Sequence, residues 1–342
     1  ASDVLSLQQI DDYTHNAVNT QLTEIWQSAY EGINRANYIN QYKAANPAGV
    51  AVNFAGKDAL FGETLFLRGY YYFTLVKMFG DVPMFTDRRL SLTDSKSLKR
   101  APKADVYKQI ETDLTAAIAA LPAVQNEKGR ITKFAAQALL GKVYLYQNKF
   151  SDAASTFDQV IASGKYSLFA DYEQLFSVAN ENNSETVFDV QYSGLEGGSY
   201  GCYICLEGNA AVGFQGIRQY NGPVYGDGNS YNLPTQELYD AFSSLDLRRG
   251  ATILDIDAFI ATQPNPSSIS YAIGAGGHSG YYNNKYIKRQ GEIGLPDNDL
   301  TSPVNYRVIR YADVLLMAAE AHYQSGNTAT AQSLVTQVRL RV

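Results

Sequence analysis

The chain has 342 residues, of which 45% are hydrophobic and 18% charged, so it can bury a sizeable core and is not a disordered segment. A formal net charge of -6 weighs against nucleic acid as a partner, because affinity for a phosphate backbone comes from clustered Lys and Arg. No apolar run approaches the roughly 20 residues of a membrane-spanning helix, and two cysteines, Cys202 and Cys205, are too few for a disulfide framework.

From Ala17 to Lys43, residues Ile25, Trp26, Tyr30, Ile33, Asn34, Asn37 and Tyr38 recur at three- and four-residue steps, which predicts an amphipathic helix. A second helix is predicted from Leu60 to Phe79, ended by Gly80-Asp81-Val82-Pro83. Its aromatic run, Tyr70 to Phe73, sits at helical spacing and reads as core. A polar connector from Asp87 to Lys103 carries Arg88, Arg89, Lys96, Lys99 and Arg100 and reads as a solvated loop. Helical spacing resumes through Val106, Ile110, Leu114, Ala117 and Leu121 and stops at Pro122.

Between Ile131 and Gly164, residues Gln137, Leu140, Gly141, Tyr144, Ala153 and Phe157 fall on the 34-residue tetratricopeptide spacing, with Gln in place of its Trp. Small residues at Gly141 and Ala153 let two antiparallel helices approach, and Tyr144 and Phe157 fill the wedge to the next pair. One pair cannot bury its own face. Arg310 to Arg341 supplies a second, with Ala321 and Ala331 flanking the turn Ser325-Gly326-Asn327, and the helices ending at Phe79 and Leu121 supply a third, more divergent one.

After Val187 the composition turns to Gly, Asn, Ser, Pro and Tyr, with one helix expected from Pro234 to Leu245 and short strands at Val187 to Tyr192 and Tyr286 to Arg289. The expected fold is mainly α: a tetratricopeptide-like helical-repeat superhelix with a loop-rich inserted subdomain containing short strands. It forms one domain, 1–342, with the scaffold at 17–186 and 304–342 and the insertion at 187–303.

Catalytic signatures are thin. Gly274, Gly276 and Gly277 miss the dinucleotide spacing, and Tyr281 stands where a nucleophile elbow around Ser279 needs glycine. His15, His278 and His322 are not at metal-ligand spacing, and Cys202 with Cys205 cannot complete a zinc site alone. Asp297 with Asp299, or Glu196 with Glu207, are loop carboxylates of the type glycoside hydrolysis uses, and read here as solvated. No enzyme activity, cofactor or metal is expected.

What remains is aromatic and amide content in the loops. Sugars present flat C–H faces edged by hydroxyls, which exposed rings and Asn, Asp or Arg recognise. One candidate set is Tyr200, Tyr203, Phe214, Arg218, Tyr220, Asn221, Tyr225, Asp227, Asn229 and Tyr231; a second is Tyr271, Tyr281, Tyr282, Asn283 and Asn284. The alternative for each ring is that it plugs the subdomain's own core.

The chain resembles the SusD/RagB family of outer-membrane nutrient-binding lipoproteins. The matching pieces include Trp26 to Asn37, Leu67 to Phe73, Phe79 to Pro83, Gly129 to Phe157, Gly164-Lys165-Tyr166, Pro234 to Phe242 and Ile309 to Ala321. The resemblance implies a tetratricopeptide-based superhelix, an N-terminal lipid anchor at the bacterial cell surface, and glycan capture without cleavage. It also implies association with a TonB-dependent outer-membrane β-barrel transporter. Two departures are the missing lipidated cysteine and an end at Arg339-Leu340-Arg341-Val342, where family members continue, so a C-terminal part is expected to be absent. A tetratricopeptide scaffold that holds a peptide in its groove is the competing function.

Overall fold

A computed structural model describes residues 4–195, 197–198, 200–201, 206–273, 278–292 and 300–341. In chain order, the described elements begin with helix α1 (Leu5–Asp11), followed by α2 (Thr20–Gln41), α3 (Lys57–Phe79), strand β1 (Val82–Pro83), α4 (Leu92–Ser95) and β2 (Arg100–Ala101). Next come α5 (Lys103–Ala120), α6 (Lys133–Tyr146), α7 (Phe150–Ala162), β3 (Thr186–Val190), α8 (Ala210–Gln215), β4 (Ile217–Arg218) and β5 (Asp227–Gly228). The chain continues through α9 (Gln236–Ala241), α10 (Arg248–Thr252), β6 (Ile253–Asp255), α11 (Ile256–Ala261) and β7 (Tyr281–Asn283), then β8 (Tyr306–Arg310), α12 (Tyr311–Gln324) and α13 (Thr328–Arg339). Two compact units result: a helical one of residues 14–167 and 309–338, and a loop-rich one of residues 1–13, 168–308 and 339–342. The division falls at 167/168 and 308/309, so residues 168–186 group with the loops and not with the scaffold as expected.

In the helical unit the local sequence sets each end. Asn19 starts α2 by accepting from the Gln21 and Leu22 amides, and Thr132 starts α6 by accepting from Ala135. Each long helix packs on the next: α2 on α3, α3 on α5, α5 on α6, α6 on α7, and α7 on α12. This is the repeat stack read from the sequence. A Cβ at Gly141 would lie 2.6 Å from the Phe157 ring, and Ala153 is fully buried, so both small residues sit at the contact of α6 with α7. Gln137, in the place of the pattern's Trp, donates to Gln159 Oε1 at 2.6 Å. Tyr72 and Phe73 are core, as their spacing predicts.

A buried polar network ties this unit together. Arg68 donates to Asp113 through Nε and Nη2 at 2.8 and 2.6 Å, and through Nη1 to Asn37 Oδ1 and the Thr86 carbonyl. Gln109 donates to Asp113 as well. Satisfied throughout, such a network fixes the register of α2, α3 and α5.

The loop-rich unit has its own core, built on Ile217, Tyr220, Tyr225, Leu254, Ile256, Tyr282 and Ile287. β6 and β7 pair antiparallel, with Leu254 opposite Tyr282, and β4 runs parallel to β5, where a Cβ at Gly228 would run into the Gly216 backbone. The strand expected at Tyr286 to Arg289 is not formed; Arg289 makes only an isolated bridge to Tyr225. Asn283 Oδ1 accepts from the Lys285 amide at 3.1 Å, an Asx turn that ends β7 before that point. The helix expected from Pro234 to Leu245 is limited to α9, started by the Thr235 side chain. Gln219, Val224, Ser230 and Asn232 all have φ between 55 and 76°, so four left-handed non-glycine residues fall within one segment of this unit.

Candidate functional site

The antiparallel pair of β6 and β7, strands separated in the chain by α11, sorts its side chains by the two-residue period of a strand. Tyr282 points inward and is completely buried, while Tyr281 and Asn283 on either side of it remain partly exposed. Three short helices bring partners to that outer face. From α9, Tyr239 stacks on Tyr281 with ring centroids 4.4 Å apart and planes at 18°, and Gln236 Oε1 accepts from the Tyr281 hydroxyl at 3.1 Å. From α10, the Arg249 guanidinium lies 4.7 Å from the Tyr239 ring centroid, so Tyr239 is held between a cation and a second ring. From α8, Gln215 Oε1 accepts from Asn283 Nδ2 at 2.6 Å, next to the Phe214–Tyr231 ring pair at 5.9 Å.

Beside the stack opens a cavity of about 380 Å³, lined among others by Tyr239, Ser244, Asp246, Arg249 and Asp255. The two carboxylates there are already oriented. Arg248 grips both oxygens of Asp246 at 2.9 and 2.6 Å, and its hydrogen bonds hold the carboxyl down at about 2. Asp255 Oδ1 accepts from the Ala258 amide and so caps α11. The result is a preformed polar hollow with a flat aromatic wall, offering a charged donor, hydroxyls and ionised acceptors together.

Near the strand pair, Tyr271 donates to Asp257 at 2.6 Å, and burial with that hydrogen bond pushes its phenol up. His278 Nδ1 and the Tyr282 hydroxyl are 3.2 Å apart, and burial lowers the His278 pKa, Asp257 opposing it.

Of the residues expected from sequence, Tyr281 and Asn283 lie on one face of β7, and Phe214 and Tyr231 pair with each other at 5.9 Å. Tyr220, Tyr225 and Tyr282 require correction: they are core, less than a tenth exposed, packed with Ile217, Leu254, Ile256 and Ile287 in the interior of the unit. Asn284 and Asn221 serve the backbone, Asn284 donating to the Gly250 carbonyl and Asn221 bridging to Ser270. Asp227 caps its neighbour Gly228, Arg218 lies on β4, and Asn229 donates its amide to the Gly213 carbonyl. Tyr200 is exposed, whereas Tyr203, both cysteines, Glu196, Asp297, Asp299 and the glycines 274–277 lie outside the described residues. Among the described residues no three His, Cys, Asp or Glu side chains gather at metal-holding distance.

Sequence reasoning missed Tyr239, Arg249, Gln215 and Gln236. Tyr239 was hidden by its helical segment, where a ring reads as packing. No periodicity marks the others.

Residues 2–145 match a family model described as starch-binding associating with outer membrane, SusD-like, and residues 261–342 match that of the SusD family. A SusD-like protein P2 of Formosa agariphila is 29% identical over 98% of this chain, and a SusD-like protein of Bacteroides ovatus 28% over 92%. The chain spans 65% and 57% of the length of these curated relatives. Among solved structures, a laminarin binding SusD-like protein is similar over 99% of this chain and 74% of its own, with 35% identity and a TM-score of 0.88. Surface glycan-binding protein A from Bacteroides fluxus is similar over 100% and 71%, with 26% identity and a TM-score of 0.84.

Proposed function

The chain belongs to the SusD family, and from that premise we propose that it binds glycan without cleaving it, on the outer face of the β6–β7 strand pair. One observation carries the reading. The Arg249–Tyr239–Tyr281 stack stands beside a polar cavity, which pairs a ring surface for a sugar's C–H face with donors and acceptors for its hydroxyls. Relatives described as laminarin binding and as a surface glycan-binding protein support that ligand class.

The same membership supports a wider role: capture at the bacterial outer-membrane surface, through a lipid anchor, and delivery to a TonB-dependent β-barrel transporter. The competing peptide scaffold has a hollow of about 510 Å³ between α7 and α12, lined by short polar side chains such as Ser155, Asp158 and Asn327. It lacks the aromatic and aliphatic anchors on which peptide binding depends, so the glycan reading is preferred. The test is calorimetric titration of laminarin oligosaccharides together with a reducing-end assay. Binding without new reducing ends supports the proposal; turnover that scales with protein, or no binding to any glycan of a broad panel, refutes it.

A further inference from the structure

The basic connector between α3 and α5, read from sequence as a solvated loop, forms a wall of a second concavity. Trp26, Tyr30, Phe85 and Arg89 line this space of about 490 Å³ on the helical unit. Its rings brace one another: Trp26 meets Tyr30 at 4.9 Å and Phe79 edge-on at 5.1 Å, and Tyr30 stacks on Phe85 at 6.0 Å with planes 12° apart. The Tyr30 hydroxyl donates to the Pro83 carbonyl at 2.6 Å, and Asn34 Oδ1 accepts from the Leu90 amide at 3.1 Å. The connector is therefore fixed to α2, and the Asn34 amide keeps its N–H donors for other partners.

The charges around it are one-sided. Both acids of the connector are used, since Asp87 and Asp94 pair with Arg88 at 2.8 and 3.5 Å, and Asp94 also caps α4 with Ser91. Arg89, Lys96, Lys99 and Arg100 have no carboxylate partner among the described residues, and no acidic side chain lines the concavity. A neutral sugar's hydroxyls both give and accept hydrogen bonds, as the Asp- and Arg-lined cavity of the loop-rich unit allows. Here Arg89, whose guanidinium also lies 6.0 Å from the Tyr38 ring, is the one charged group in a lining that otherwise offers Asn34, Ser91 and Ser95 beside apolar walls, and a cation without a carboxylate matches groups that only accept: carboxylates and sulfates.

We propose that this concavity is a second glycan site, selective for sugars that carry a carboxylate or a sulfate, with Arg89 as the anion-binding residue and the Trp26–Tyr30–Phe85 cluster as the wall. It rests on the glycan-binding reading but on a different unit of the molecule. An acidic peptide would meet the same charge and could use the apolar wall of Pro83, Leu90, Leu92 and Leu98; the braced rings favour a flat sugar face, and peptide binding is an outcome of the test.

The experiment is calorimetric titration of three oligosaccharides of equal length: a neutral β-1,3-glucan, an oligouronate and a sulfated galactan. Each goes into the parent, Arg89→Ala, Arg89→Lys and Tyr281→Ala, with thermal melts alongside and with polyglutamate as a fourth probe. At least one charged oligosaccharide should bind, and the tighter of the two identifies carboxylate or sulfate. Its affinity should fall about tenfold in Arg89→Ala, less in Arg89→Lys, and also fall between about 20 and about 200 mM salt, while Tyr281→Ala leaves it unchanged. The proposal is overturned if the charged sugars bind no tighter than the neutral one, if Arg89→Ala binds them like the parent, or if only polyglutamate binds. Neutral binding that depends on Tyr281 without any charged binding removes this site alone; no binding by any sugar removes both readings.

Discussion

At the scale of single residues, the structure separates loop tyrosines that looked alike in sequence. Tyr220 and Tyr282 are buried in the loop-rich core, so Tyr282→Ala should cost about 3–5 kcal/mol, as for other large core aromatics, and lower the melting temperature accordingly. A melt unchanged from the parent would contradict that placement. Composition announced many rings in the loops but could not say which face inward, because each side of an irregular chain lacks the period that marks a helix or strand face. Asp246 gives a prediction of another kind. Gripped by Arg248, its carboxyl sits at about 2, below the ordinary value of about 3.9. Because the folded pKa is the lower one, the pair's contribution to stability is present above the ordinary value and is lost as pH falls towards about 2. Carboxyl NMR should show Asp246 titrating near that value; a midpoint near 4 would mean that Arg248 does not hold it.

At the scale of elements, the long helices were legible because their residues serve packing, and packing repeats. Gly141 lies at a helix contact and Ala153 is buried, as spacing predicts, whereas Phe157, expected in the wedge to the next pair, has its ring against Gly141 within its own pair. Ala153→Phe should therefore overpack α6 against α7 and cost about 1–3 kcal/mol, visible as a shifted denaturation midpoint; an unshifted midpoint would disprove the contact. Less legible were the short elements. β7 was expected five residues further on, since Tyr286 to Arg289 has strand-forming side chains, but the Asx turn at Asn283 ends the pairing first. That difference matters for the site, because β7 is what turns Tyr281 and Asn283 outward. The buried Arg68–Asp113 pair also lay unread, as nothing in either helix pattern names the partner of an inward-facing arginine. Arg68→Ala would leave Asp113 buried and unpaired and should destabilise by about 3–5 kcal/mol. A loss below about 1 kcal/mol in urea denaturation would show the network to be dispensable.

At the scale of the whole molecule, the two units divide the work. Repeat helices use their aromatic residues to bury one another, whereas the β6–β7 pair of the loop-rich unit turns one ring and one amide away from its core and gathers partners around them. Family membership was legible because the matching motifs are the packing motifs of the scaffold. The residues of the proposed site were only partly so: Tyr281 and Asn283 were in the expected set, Tyr239 and Arg249 were not. The most direct test of the account is therefore titration of a bound oligosaccharide into Tyr281→Ala beside the parent, with melts of both. The account predicts affinity lower by about five- to thirty-fold with an unchanged melting temperature. Parental affinity in Tyr281→Ala, or a loss of binding only in step with unfolding, would contradict it.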